Sequence, residues 1–179
     1  MNLENLSDEM LLVLAGANTA AFDVLYRRHE DRVKAYIRSI SRDAAAAEEI
    51  ANDVFVRLIE VSRKGSFDPE RGTFKSLLYA IAHNRALDEI RRNKRRAETS
   101  LDDLLSSVRA LPRSFFVYMH DSVHDMLKAL PGPTERAIAL MSADGLSIAE
   151  IAHALGISIS TVNRKLALIR DVLKQFVSP

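Results

Sequence analysis

DGLSIAEIAHALGISISTVNRKLALIRDVL, residues 144–173, carries the densest run of fold-determining signals in the chain. Ser147 followed by Glu150 has the S-x-x-E form of a capping box, which places a helix start at Ser147. Ile148, Ile151, Ala152 and Leu155 then form an apolar stripe, and Gly156 stands where a left-handed C-cap is needed. Ser158 is placed to cap a second helix whose inward side is Val162, Leu166, Ile169 and Leu173. A helix–turn–helix needs a small residue where its helices cross, a glycine in the turn and an apolar anchor in the second helix. Ala152, Gly156 and Val162 supply these at offsets of four and six. With Val162 inward, Ser160, Asn163, Arg164 and Ala167 lie outward, flanked by Thr161 and Lys165. Arg164 has the two-pronged geometry that grips guanine, whereas Lys165 suits a phosphate. The plain alternative is a helical hairpin with a solvated polar face. The coincidence of three spacing constraints with two caps argues against it.

Working outward, the chain has 179 residues, with 25 Lys and Arg against 24 Asp and Glu and 47% hydrophobic content. That is enough for one ordinary domain or two small ones with a real core. There is no cysteine, which excludes disulfide frameworks, thiolate zinc sites and cysteine nucleophiles. The opening MNLENLSDEML carries acids where a secretory leader needs lysine or arginine, and no apolar run reaches the roughly 18 residues of a membrane span. We expect a cytoplasmic protein without membrane insertion. Six glycines and five prolines among abundant Ala, Leu, Arg, Glu and Ile predict long helices with few tight turns.

Phe22, Leu25, Tyr26, Val33, Ile37 and Ile40 fall three, four or seven apart, one stripe of a long helix. Ala47, Ile50, Val54, Leu58 and Val61 make a second. Gly65 and SFDPERGT, residues 66–73, interrupt as a loop. Phe74, Leu77, Leu78, Ile81 and Leu87 open a third helix that runs into the cations Arg91, Arg92, Lys94, Arg95 and Arg96. Periodicity then fails from about Ala97 to Val117, a polar stretch containing Pro112, and SFFVYM at 114–119 is ambiguous between sticky linker and helix start. It resumes at Val123, Met126, Leu127 and Leu130 until PGP at 131–133 stops the helix, and another follows from about Thr134 to Ser142. The expectation is an all-α protein of two small helical domains: 1–96, a linker at 97–119, and 120–179.

The net charge of +1 hides an acidic start, net −4 over residues 1–60, and a basic middle, net +6 over residues 61–96. Two surfaces of opposite sign suggest two different partners. In AEEIANDVFVRLIE, residues 47–60, the polar groups Glu48, Glu49, Asn52 and Asp53 cluster away from Ile50, Val54 and Leu58. Taken alone, such a face is usually solvent cover. Acid–base catalysis is a poor reading, because exposed neighbouring carboxylates have no cause for perturbed titration and no nucleophile accompanies them. FDPERGTFKSLLYAIAHNRALDEIRRNKRR, residues 67–96, joins a Gly/Pro loop, aromatics, the His83–Asn84 pair and five cations in the last six positions. Rings beside cations are what single-stranded nucleic acid needs: a face for stacking and charge for the backbone.

AEEIANDVFVRL, then FKSLLYAIAHNRALDEIRRNKRR, then LPGPTERAIAL and the helix–turn–helix, in this order, resemble the extracytoplasmic-function group of bacterial sigma factors over roughly residues 18–96 and 123–175. The resemblance implies a non-catalytic subunit, without cofactor or metal, that gives RNA polymerase its promoter specificity. It assigns Glu48, Glu49, Asn52 and Asp53 to the clamp coiled-coil of the polymerase's largest subunit. The loop residues Asp68, Glu70, Arg71 and Thr73, with Tyr79, His83, Asn84, Arg91, Arg92 and Arg95, would engage the minus-ten element of promoter DNA. Ser158, Ser160, Thr161, Asn163, Arg164 and Lys165 would serve the minus-thirty-five element. The chain departs from the family's usual residues at Asn52 (usually Gln), Leu77 (usually Trp) and Ala46 (usually Asp). An anti-sigma factor is a further expected partner, with Phe115–Met119 available to it.

Two rival readings come from other classes. A free-standing helix–turn–helix regulator would normally need a dimerisation face to read a palindrome, and no spare apolar stripe stands out. His120 and His124, with Asp121 and Asp125, have a spacing that clasps zinc on one helix face, but a third ligand and a catalytic base are not evident.

Overall fold

The computed structural model describes residues 2–41, 44–99 and 121–177, and among these it is all helical, with no strand. The first helix, α1 (Asp8–Ala15), escaped the periodicity reading because it spans barely two turns. Its local signal is the Ser7 cap, which accepts from the Met10 amide at 3.3 Å, with Asp8 and Glu9 at the positive end of the helix dipole. Leu11, Leu12 and Ala15 bury its inner side. A Cβ on Gly16 would stand 2.8 Å from the Arg63 backbone nitrogen, so the turn after α1 fits against the helix that ends at Arg63 only as glycine. The Ser62 hydroxyl donates to the Leu12 carbonyl at the same crossing.

Three long helices follow: α2 (Thr19–Ser41), α3 (Ala44–Arg63) and α4 (Phe74–Thr99). The expected stripes of α2 and α3 face the core, with Phe22, Tyr26 and Val61 half-buried at its margin and the rest buried, joined by Tyr36, Ala51 and Phe55. The stripe of α4 is turned from the expected one. Phe74, Leu78, Tyr79, Ala82 and Ala86 are buried, whereas Leu77, Ile81 and Leu87 are only half-buried at the margin. The reason is that α4 packs against α2 and α3 on one side and a C-terminal helix on another, so alanines, a tyrosine and a histidine are drawn in. Rings pack across the helices: Tyr26 on Phe55 (4.7 Å between centroids), His29 on Phe74 (4.9 Å) and Tyr36 on Tyr79 (4.9 Å).

The C-terminal unit comprises α5 (Asp121–Ala129), α6 (Pro133–Ala143), α7 (Ile148–Leu155) and α8 (Ile159–Val177). Pro133 opens α6 where its missing amide costs nothing. Both halves of the Ser147–Glu150 capping box form, and Gly156 adopts φ 63°, ψ 33° as the left-handed cap. Leu130, Ile138, Met141, Ile151 and Val162 make the centre of this unit. One expectation fails here: Ile148 is exposed at the first turn of α7 and Ala154 is buried instead. The two units lie against each other, α6 on α2 and α7 on α4. The expected linker lies outside the described residues except where α4 continues to Thr99. SFFVYM and His120 lie outside them too.

Asp8 ties α1 to α2, accepting from His29 Nε2 at 2.8 Å and from Arg28 at 2.7 Å. Those bonds, the His29 one foremost, hold its carboxyl at about 2, below its ordinary 3.8, against the opposing effect of burial. A depressed carboxyl contributes stability above its unfolded value and loses it as pH falls from near 4 towards 2. Asp8→Asn is therefore expected to lower stability at neutral pH by on the order of 1–2 kcal/mol and to flatten the stability curve in that acid window. Urea unfolding at several pH values checks both. Parallel curves for the two proteins would refute the assignment.

Candidate functional site

On α3 the buried positions leave a strip that faces away from the bundle. Glu49, Asn52 and Asp53 lie on it, exposed, with no hydrogen bond or ion pair to another described residue. Glu48 does not belong with them. It points sideways to α2, paired with Lys34 at 2.7 Å and Arg38 at 2.5 Å, because position 48 falls on the flank between the buried and outward sides. One member of the strip was missed from sequence: Val56, 55% exposed, follows Asn52 and Asp53 at helical spacing. Its signal was an apolar residue out of phase with the buried stripe. At its edge the strip meets α4, where Glu49 and Asp53 share a shallow cleft with Arg85 and Arg92.

The 66–73 loop is locally ordered by its own side chains. Asp68 accepts from the Glu70 amide at 3.0 Å and pairs with Arg71 at 3.3 Å. Thr73 caps α4, its hydroxyl accepting from the Ser76 amide at 3.2 Å, while it donates to Glu150 on α7 at 2.5 Å. That bond is the largest cause holding Glu150 below the usual carboxylate range. Between the loop and α7 opens a groove of about 510 Å³, floored by Phe67, Leu77 and Ala80 and walled by Ala149, Glu150 and His153.

Two residues expected on the DNA side are inside the protein. Tyr79 is 3% exposed, its ring on Tyr36 and its hydroxyl 3.2 Å from Asp144, and burial foremost raises its ionisation well above the ordinary tyrosine range. His83 is 6% exposed and shares a 3.0 Å hydrogen bond with Tyr36; burial lowers its basicity. Both follow from the turned stripe of α4. Asn84 is exposed, and so are Arg91, Arg92 and Arg95 along the last turns, each held locally: Arg91 to Asp88, Arg92 to Glu89, and Arg95 to the Arg91 carbonyl.

The start of α8 presents Ser160, Asn163, Arg164 and Ala167 on one exposed face. Ser158 caps this helix, accepting from the Thr161 amide at 3.2 Å, and its hydroxyl also meets those of Ser160 and Thr161. Lys165 departs from the phosphate role expected of it. It reaches back to the buried Glu135 of α6 at 2.5 Å; burial pushes that carboxyl up, and the Lys165 bond, a backbone amide and the charges of Lys165 and Arg136 together bring it below its usual range. Among the described residues no three metal-ligating side chains gather, and no helix is long and apolar enough to cross a membrane.

Comparison with known proteins agrees with this geometry. Residues 25–96 match the family model for sigma-70 region 2, which covers α2 to α4, and residues 120–173 match that for sigma-70 region 4, which covers α5 to α8. The ECF RNA polymerase sigma factor SigK of Mycobacterium tuberculosis is 28% identical over 175 residues, covering 93% of this chain and 89% of its own length. The ECF RNA polymerase sigma factor SigE of Mycolicibacterium smegmatis is 28% identical over 163 residues, 88% of this chain, and the chain spans 62% of that relative's length. A solved structure of CnrH in complex with the cytosolic domain of CnrY has the same fold, with a TM-score of 0.60 at 24% identity over 95% of this chain and 96% of that one. With both regions present in order, and extracytoplasmic-function sigma factors matched along nearly the whole chain, this protein belongs to the extracytoplasmic-function group of the sigma-70 family.

Proposed function

We propose that this chain docks on core RNA polymerase through the outward strip of α3 and directs initiation at promoters carrying a minus-ten and a minus-thirty-five element. Residues 1–96 are the docking and minus-ten unit, 97–119 the tether, and 120–179 the minus-thirty-five unit. The observation that carries the reading is the unpaired strip itself: Glu49, Asn52 and Asp53 with the exposed Val56 one turn further on, between them and the polar Arg57 and Glu60. Carboxylates that serve the fold find partners within it, as Glu48 does. These do not, and an apolar side chain ringed by polar groups is the anatomy of a protein interface. The clamp coiled-coil of the largest polymerase subunit is the partner this strip fits. Asp68, Glu70, Arg71 and Thr73 with Asn84 and the arginines of α4 then handle the minus-ten element, and the Ser160–Asn163–Arg164 face reads the minus-thirty-five element. A tether between two DNA-contacting units raises the effective concentration of the second contact once the first is made. The protein acts by binding and carries no chemistry of its own, in the cytoplasm where the polymerase is. CnrH, solved with the cytosolic domain of CnrY, supports a further protein partner of the anti-sigma kind.

Charge reversal at Glu49 and Asp53 is expected to cost no more than about 1 kcal/mol of folding stability, since neither carboxylate is ion-paired and the repulsion from Arg85 and Arg92 across the cleft is met at an exposed surface. The same variant is expected to lose co-elution with core polymerase in gel filtration, and Val56→Asp to weaken it about tenfold or more. If the reversed protein co-elutes like the parent, the docking surface is misplaced. If the parent itself fails to co-elute, the free-standing regulator becomes the better reading.

Arg164→Ala is expected to cost about 1–3 kcal/mol at one base pair of the upstream element and to relax selectivity there. Transcript-start mapping after overexpression identifies the element, and binding to point-substituted duplexes reads the loss. An equal loss on every duplex would assign Arg164 to the backbone instead.

A further inference from the structure

Three donors from the N-terminal unit converge on one carboxylate of the C-terminal unit. Asp144 accepts from Arg32 of α2 at 2.5 Å, from the Tyr79 hydroxyl at 3.2 Å and from Lys75 at 3.3 Å, and Lys75 also bonds the Asp144 carbonyl at 2.8 Å. Asp144 is only 10% exposed. Its own helix gives no reason for a carboxylate there. Asp144 is the C-cap of α6, where the helix dipole is negative and a cation is the favoured charge. What holds it is the cluster on α2 and α4.

We propose that Arg32, Lys75 and the Tyr79 hydroxyl form a phosphodiester site for single-stranded DNA, and that Asp144 fills it in this arrangement as an internal stand-in for the phosphate. The proposal rests on the sigma-factor reading and gives Tyr79, which the resemblance placed at the minus-ten element, two cationic partners and a ligand. A carboxylate and a phosphodiester each carry one negative charge on two exposed oxygens, so the same fork and ammonium suit both. Tyr79 keeps its proton at neutral pH, because burial and the neighbouring carboxylate oppose its ionisation, and so remains a donor. Without Asp144 the cluster would hold two like charges beside a buried hydroxyl, which calls for an anion. The groove floored by Phe67, Leu77 and Ala80 opens on another side of the same helix, α4, and offers apolar surface to bases of a strand held there. The groove's far wall is α7, fastened by the bond between Thr73 and Glu150. The C-terminal unit and a single strand therefore compete for one surface.

The test uses the full chain and a fluorescein-labelled single-stranded oligodeoxynucleotide of mixed sequence. Asp144→Asn is expected to tighten binding about five- to tenfold by removing the internal competitor. Adding Arg32→Gln should abolish that gain and lower the salt dependence by about one phosphate contact. The proposal is overturned if Asp144→Asn binds no better than the parent, or if the gain survives Arg32→Gln. A second measurement needs no change at Asp144. The chain lacks cysteine, so dyes on Glu60→Cys and Arg170→Cys, both exposed positions, report the separation of the units. The oligonucleotide should drive them apart, and binding without separation would overturn the competition. Core-polymerase binding, which uses α3, is measured alongside. Its retention with a failed oligonucleotide result sinks the phosphate site alone, and its absence sinks the sigma-factor reading.

Discussion

Helix α4 is packed from more than one side, and the rest of the arrangement follows from that constraint. A helix with one buried stripe keeps a broad polar face, as α3 does with Glu49, Asn52 and Asp53. With α2 and α3 on one flank and α7 on another, α4 buries Phe74, Leu78 and Ala82 and also takes in Tyr79 and His83. Their polar atoms then need partners. His83 finds the Tyr36 hydroxyl, and Tyr79 finds Asp144 on the other unit. The contact between the units is thus partly the solution to a problem of hydrogen-bond satisfaction inside α4.

Charge is divided along the same lines. Carboxylates within reach of a cation are spent inside the molecule: Asp8 on Arg28 and His29, Glu48 on Lys34 and Arg38, Glu135 on Lys165. The outward strip of α3 keeps carboxylates without such a pair, Glu49 and Asp53, and the cations of α4 gather at that helix's far end, held by short-range pairs such as Arg91 with Asp88. Such exposed pairs contribute little to stability and exchange readily for a phosphate. A surface that is weakly satisfied by itself is poised for a partner.

The sequence disclosed these features unevenly, and the unevenness has physical causes. The helix–turn–helix was legible because its constraints are local: a capping box, a left-handed glycine and an anchor at fixed offsets, all of which the structure contains. The long helices α2 and α3 were legible because each has a single apolar stripe. The phase of α4 was not, since Leu77, Ile81 and Leu87 are more apolar than Ala82, Ala86 and His83, and only knowledge of a third neighbour reverses that ranking. Lys165 and Glu48 were misjudged for a related reason. Each has a partner about 10–30 residues away along the chain, Glu135 in one case and Lys34 and Arg38 in the other, and no window of local sequence reveals a pairing across helices. Val56 escaped because an apolar residue outside the stripe reads as noise until its neighbours are seen to be unpaired.

The strength of the contact between the units bears on how it can be used. Arg32 is largely exposed, so its pair with Asp144 contributes no more than about 1 kcal/mol, and the bonds of Lys75, Tyr79 and Thr73 add net amounts of similar size. The Arg136 guanidinium adds a bond to the Ser39 carbonyl at 2.6 Å where α6 lies on α2, and inter-domain contacts carried by polar bonds of this size are by default separable. Docking on a large partner releases far more free energy than that, so it can separate the units without unfolding either. Because the units are tethered, closure is unimolecular and independent of concentration, whereas reopening depends on how much partner is present. A polar contact of this size is therefore suited to keep Asp144 on the α2–α4 cluster in the free chain and to yield when the chain is engaged. A fully apolar interface of the same area would hold too tightly to do so.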